Sequence, residues 1–75
     1  MSVADTMKYI MRETGHTHTW TINRMNAINN DIHMTQSKFS ATINNKRRLL
    51  GDELIAFCQA TKINPDVFMN KKPPD

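Results

Sequence analysis

Thr35-Gln36-Ser37-Lys38-Phe39-Ser40-Ala41-Thr42-Ile43-Asn44-Asn45-Lys46-Arg47-Arg48 has the makings of a helix, but an unusually bare one. Thr35 is a good N-cap, because its hydroxyl can accept an N–H that the first turn leaves unpaired. Asn45 can take the left-handed conformation that ends a helix. Between them only Phe39 and Ile43 are large and apolar, and they stand four apart on one stripe. The other positions carry short polar or small side chains. A helix shaped only by packing would rarely look like this, whereas one that must lie in a DNA major groove would. That groove is about 12 Å wide, and edge-reading groups must sit close to the bases. Glutamine, serine and threonine can donate and accept there, and alanine can touch a thymine methyl. A cationic run just past the helix would hold the phosphate backbone.

Charge along the chain points the same way. The 75 residues carry 10 Lys+Arg and 7 Asp+Glu, a net charge of +3. Residues 1–34 balance to zero, and residues 51–75 are slightly acidic. All the excess sits in residues 35–50, where Lys38, Lys46, Arg47 and Arg48 meet no acid. Focused positive charge is the footprint of a polyanion site, although a solvated cationic face is a common alternative.

Upstream, the stripe Ile22, Met25, Ile28 and Ile32 predicts a second helix, starting after a Thr21 cap and running to Asp31 or Ile32. Trp20 before that cap and Met25 inside it would form a hydrophobic staple. His16 to Thr19 reads as a loop. A first helix spans 3–14, capped by Ser2 with Asp5 three residues on. It would bury Val3, Met7, Ile10 and Met11 and stop at Gly15. Downstream, Asp52 and Glu53 suit the positive start of a fourth helix over about 52–61, with Leu54, Ile55, Phe57 and Cys58 apolar. Asn64-Pro65 opens a short fifth helix, about 65–69, and residues 70–75 read as a frayed tail.

The expected fold is all-α, one domain over residues 2–69. A single cysteine excludes an intramolecular disulfide. No apolar run reaches the roughly 18 residues a membrane span needs, and the first residues lack the pattern of a signal peptide. A cytoplasmic protein without cofactor is expected. His16-x-His18 with His33 is not a zinc pattern, and neither paired carboxylates nor a nucleophile–base arrangement suggests an enzyme. Four of the six methionines fall on helical stripes and read as core.

Thr35 to Arg47 resembles the recognition helix and following loop of the Cro and λ-repressor-like helix-turn-helix family. That family commonly shows Ser or Thr, Gln, an aliphatic, Ser, then Asn-Gly-Lys-Arg after another aliphatic. Gly51-Asp52-Glu53-Leu54 onward and Ile63-Asn64-Pro65-Asp66-Val67-Phe68 resemble its later helices. His33 stands where the family usually has the glycine of the turn, and Asn29 where it usually has alanine. The resemblance implies a five-helix domain that binds double-stranded operator DNA. It would act as a transcriptional regulator, a Cro-type repressor such as phages and mobile elements carry in the bacterial cytoplasm. Base reading would fall to Gln36, Ser37 and Ala41, with Ser40 and Lys38. Backbone contact would fall to Thr35, Asn44, Asn45, Lys46, Arg47 and Arg48, and to Asn23 and Arg24 at the start of the second helix. A homodimer would read two half-sites, with Val67, Phe68 and Met69 either forming its interface or closing the core. No small-molecule substrate is implied, so switching would come through concentration, dimerisation or a competitor. The alternative is a protein-interaction module, antitoxin- or antirepressor-like, that binds a protein through a methionine-rich surface.

Overall fold

Side-chain caps set where the helices begin. The Ser2 hydroxyl accepts the Asp5 N–H at 3.1 Å, and the Asp5 carboxylate accepts the Ser2 N–H at 3.4 Å. This reciprocal pair satisfies two donors that a helix start leaves free. Thr17 and Thr35 cap in the same way, accepting the N–H groups of Trp20 and Lys38. The computed structural model describes residues 2–69. Within them the chain is all-α: α1 (Val3–Thr14), α2 (His18–Ile28), a 3-10 turn (Asn30–Ile32), α3 (Gln36–Ile43), α4 (Gly51–Thr61) and α5 (Asp66–Met69). The tail expected at 70–75 lies outside the described residues. No described helix is long and apolar enough to cross a membrane.

Four of the expected helices lie close to where pattern placed them, and α2 does not. It starts four residues earlier, so Thr17 caps it rather than Thr21. Thr21 is fully buried; its hydroxyl donates back to the Thr17 carbonyl at 2.9 Å and to the Met11 sulfur at 3.6 Å. Trp20 therefore lies in the first turn, which rules out the expected staple. Its indole stacks on the His16 ring instead, with centroids 3.8 Å apart. The helix also ends earlier. Asn29 is extended, and the chain continues as a 3-10 turn closed by His33 in the left-handed region at φ 48°. Histidine accepts that conformation more readily than most side chains.

One asparagine organises this connection. Asn26 on α2 donates from Nδ2 to the Met34 carbonyl at 2.9 Å, and its Oδ1 accepts the Met34 N–H at 2.8 Å. Both backbone groups of Met34 are thus satisfied while its side chain enters the core.

The core gathers Met7, Ile10 and Met11 of α1, Ile22 and Met25 of α2, Met34, Phe39 and Ile43 of α3, and Ala56, Phe57 and Ala60 of α4. α2 packs on α4 and α3, and α1 packs on α3 and α5. A row of rings ties these layers together. His18 meets the edge of Phe39 at 5.0 Å, Phe39 lies 6.2 Å from Phe57, and Phe57 lies 6.1 Å from Phe68. Val3, Ile28 and Ile55, expected as apolar packing surface, are exposed; Ala4, Thr21 and Thr42 are buried instead. Helical phase explains Val3 and Ile28: both stand at helix ends, where the stripe has rotated off the core. Cys58 is buried as expected, and burial pushes its thiol pKa up.

Asn26→Ala strands two backbone groups of a half-buried turn. It should lower unfolding free energy by about 1–3 kcal/mol in a denaturant melt. Asn29→Ala, which removes only the exposed hydrogen bond to Asp31 N–H, should cost less than half as much.

Candidate nucleic-acid interface

The short length of α3 makes its two faces easy to assign. Phe39, Thr42 and Ile43 are buried. Gln36, Ser37, Ser40 and Asn44 are exposed and Ala41 is half-buried. At 100° per residue, positions 36, 37, 40, 41 and 44 fall on one outward strip. Four of the five expected base-reading residues are therefore neighbours on it. Lys38, the fifth, is not: it lies at the border with the core, and its ammonium donates to the His33 carbonyl at 3.2 Å. It reaches over the turn rather than outward.

The amino ends of α2 and α3 meet. Gln36 Nε2 donates to Thr19 Oγ1 at 2.9 Å, joining the first residue of α3 to the second of α2. This contact holds the Gln36 amide while leaving its Oε1 and one N–H open. Thr19 had been assigned to a loop, so no helical spacing singled it out. The early start of α2 also displaces Asn23 and Arg24. Both are exposed but lie mid-helix, where their N–H groups are inside the helical ladder. The α2 start is formed by His18, Thr19 and Trp20 instead.

Past α3 the chain reverses sharply. The Lys46 N–H donates to the Ala41 carbonyl at 2.8 Å and the Asn45 N–H to the Thr42 carbonyl at 3.1 Å, with Asn45 at φ 63°. This is the Schellman closure, with asparagine in the place glycine usually takes. The Asn44 amide folds back, donating to the Ser40 carbonyl at 2.9 Å.

Of the three cations that follow, Lys46 and Arg48 are exposed and Arg47 turns inward. Its guanidinium makes a two-pronged pair with Glu53, at 2.9 and 2.8 Å, and donates to Thr42 Oγ1 at 3.0 Å. Glu53 is only 3% exposed, and its Oε1 also accepts the Leu50 N–H at the start of α4. The Arg47 hydrogen bonds outweigh burial and hold the Glu53 pKa below its ordinary value. Arg47, expected on the phosphate backbone, thus braces the loop that carries Lys46 and Arg48. Glu53 was read only as a favourable acid at a helix start. Its partner lies across an irregular loop, where periodicity carries no information.

The expected interface residues divide. Val67 is 45% exposed, while Phe68 is half-buried and packs on Phe57, closing the core. The Met69 side chain lies outside what is described. Met7, Met11, Met25 and Met34 are all buried, so they form no methionine-rich surface. Comparison with protein-family models, curated proteins and solved structures finds no match.

Arg47→Ala leaves Glu53 buried without its partner and should cost on the order of 3 kcal/mol, read as a lower unfolding midpoint. Lys46→Ala and Arg48→Ala should shift that midpoint little. Because the folded-state Glu53 pKa is lowered, its contribution is complete above the unfolded-state value. It is lost as pH falls below about 4 and through the folded value. Glu53→Gln should therefore lower stability at neutral pH and shrink the gap between neutral and strongly acidic melts.

Proposed function

We propose that the chain is a sequence-specific double-stranded DNA-binding transcriptional regulator, a helix-turn-helix domain of the Cro and λ-repressor-like kind. The observation that carries this is the outward strip of α3. Gln36, Ser37 and Ser40 are solvent-exposed on the face opposite the core, beside the exposed cations Lys46 and Arg48. α3 enters the major groove with Gln36 at its leading end. Held by Thr19, Gln36 keeps one acceptor and one donor for a base edge, the pair that adenine matches. Ser37 and Ser40 contribute adaptable hydrogen bonds, and Ala41 lies at the margin of the strip.

Lys46 and Arg48 grip phosphates and set the docking register. Neither α2 nor α3 has an acid in its first turn, whereas α1 has Asp5 and α4 has Asp52 and Glu53. Helix starts free of acid accept a phosphate without charge repulsion. The connection from Asn29 to Thr35 is longer than the usual three or four residues of such a turn. The Asn26 clamp and the Thr19–Gln36 contact are what support a helix-turn-helix geometry across it.

One helix makes few base contacts, so the protein acts as a two-fold dimer on half-sites about 34 Å apart. Val67 is the exposed apolar position near the end of the fold that suits that interface. Repression follows from occupancy, since a bound dimer obstructs polymerase. The rival, a protein-interaction module, loses its proposed surface with the methionines buried.

Selection of bound duplexes from a random pool should recover a palindrome, and repeating it with Gln36→Ala should relax one position per half-site. Truncation there should cost about 1–3 kcal/mol of binding. With Arg47 turned inward, Lys38, Lys46 and Arg48 leave about three phosphates per subunit. Log affinity against log salt should then fall with a slope on the order of −5 for the dimer. A response flat in salt would sink the DNA assignment.

A further inference from the structure

The fold has a place for a small ligand that the expectation of a bare DNA-binding domain did not include. A cleft of about 510 Å³ opens between the start of α1 and the loop after α3. Its lining is of two kinds. Lys46, Arg47 and Arg48 supply cationic groups, and Val3, Ala4 and Leu49 supply an apolar wall. Thr42 and Asn45 complete it, so no acidic side chain is among its lining residues. Arg47 is neutralised by Glu53, which leaves the charge of Lys46 and Arg48 unbalanced at the rim. The volume falls within the ~300–1,000 Å³ typical of small-molecule sites and is far larger than an inorganic anion needs.

We propose that this cleft binds a small organic phosphate, with the phosphoryl group between Lys46 and Arg48 and a compact apolar body against Val3, Ala4 and Leu49. The two halves of the lining argue for a ligand of two halves. A bare anion would leave the apolar wall wet, and a neutral apolar molecule would leave the cations unmatched. Arg47 takes a positioning part, since its pairing with Glu53 and Thr42 holds the loop that forms one side of the cleft. Because Lys46 and Arg48 also serve the proposed DNA contact, an occupied cleft lowers DNA affinity. That consequence rests on the DNA reading; ligand binding itself does not.

The test uses the intact chain without DNA. Inorganic phosphate, phenol and phenyl phosphate are titrated separately while backbone amide resonances are followed by NMR. Phenyl phosphate should shift residues 3, 4, 42 and 45–49 together, and bind about tenfold or more tighter than either fragment probe. The double variant Lys46→Ser/Arg48→Ser should weaken it by about tenfold or more. Val3→Trp, which fills the apolar side from an exposed position, should abolish it while the spectrum stays dispersed. Shifts scattered over the surface, equal affinity for inorganic phosphate and phenyl phosphate, or unchanged binding by the double variant would each overturn the proposal. A competition titration against duplex DNA is a separate arm. If it fails while phenyl phosphate still binds the cleft, the DNA assignment falls and the ligand site stands.

Discussion

The pair between Arg47 and Glu53 fixes the relation between the outward helix and the rest of the bundle. Arg47 reaches across an irregular loop to a carboxylate on α4 and touches the Thr42 hydroxyl of α3 on the way. The same carboxylate takes the first free N–H of α4. Three elements are thereby held by one two-pronged contact. A buried charge pair of this kind contributes little against an apolar substitute, but losing one partner is costly. Its geometric consequence here is specific. It turns one cation of a consecutive three inward and leaves its neighbours, Lys46 and Arg48, at the surface.

A second constraint operates at the other end of α3. The clamp from Asn26 to both backbone groups of Met34 lets a buried methionine sit in an irregular turn without stranding a donor or an acceptor. With the Thr19–Gln36 contact, it sets how α3 leaves α2. The outward strip of α3 is thus held at both ends by polar contacts and underneath by Phe39, Thr42 and Ile43. Preorganisation of this sort matters for recognition, because a helix already held in place loses little further freedom on docking.

The cleft beside Lys46 and Arg48 follows from the same arrangement. Asn45 in the left-handed region reverses the chain, and the loop then runs past the start of α1. Space remains because residues 46–50 are not helical and cannot pack as closely as a helix would.

The caps and periodicity of α1, α3, α4 and α5 were legible because local chemistry fixes them. A serine with an acid three residues on, a threonine before a polar run, and Asn-Pro each favour one local geometry. The left-handed His33 and Asn45 belong here too, as the residue types that tolerate positive φ. The outward strip of α3 was equally legible, since a helix with two large apolar residues has one face to bury. The start of α2 was not. Thr17, Thr19 and Thr21 are equally good caps by sequence, and only the burial of Thr21 against Met11 chooses among them. That choice moved Asn23 and Arg24 away from the helix start and brought Thr19 to Gln36. The pairing of Arg47 with Glu53 was out of reach for a related reason. Consecutive cations in a loop are equivalent until a partner from another element comes within reach, and only the packed chain brings it there.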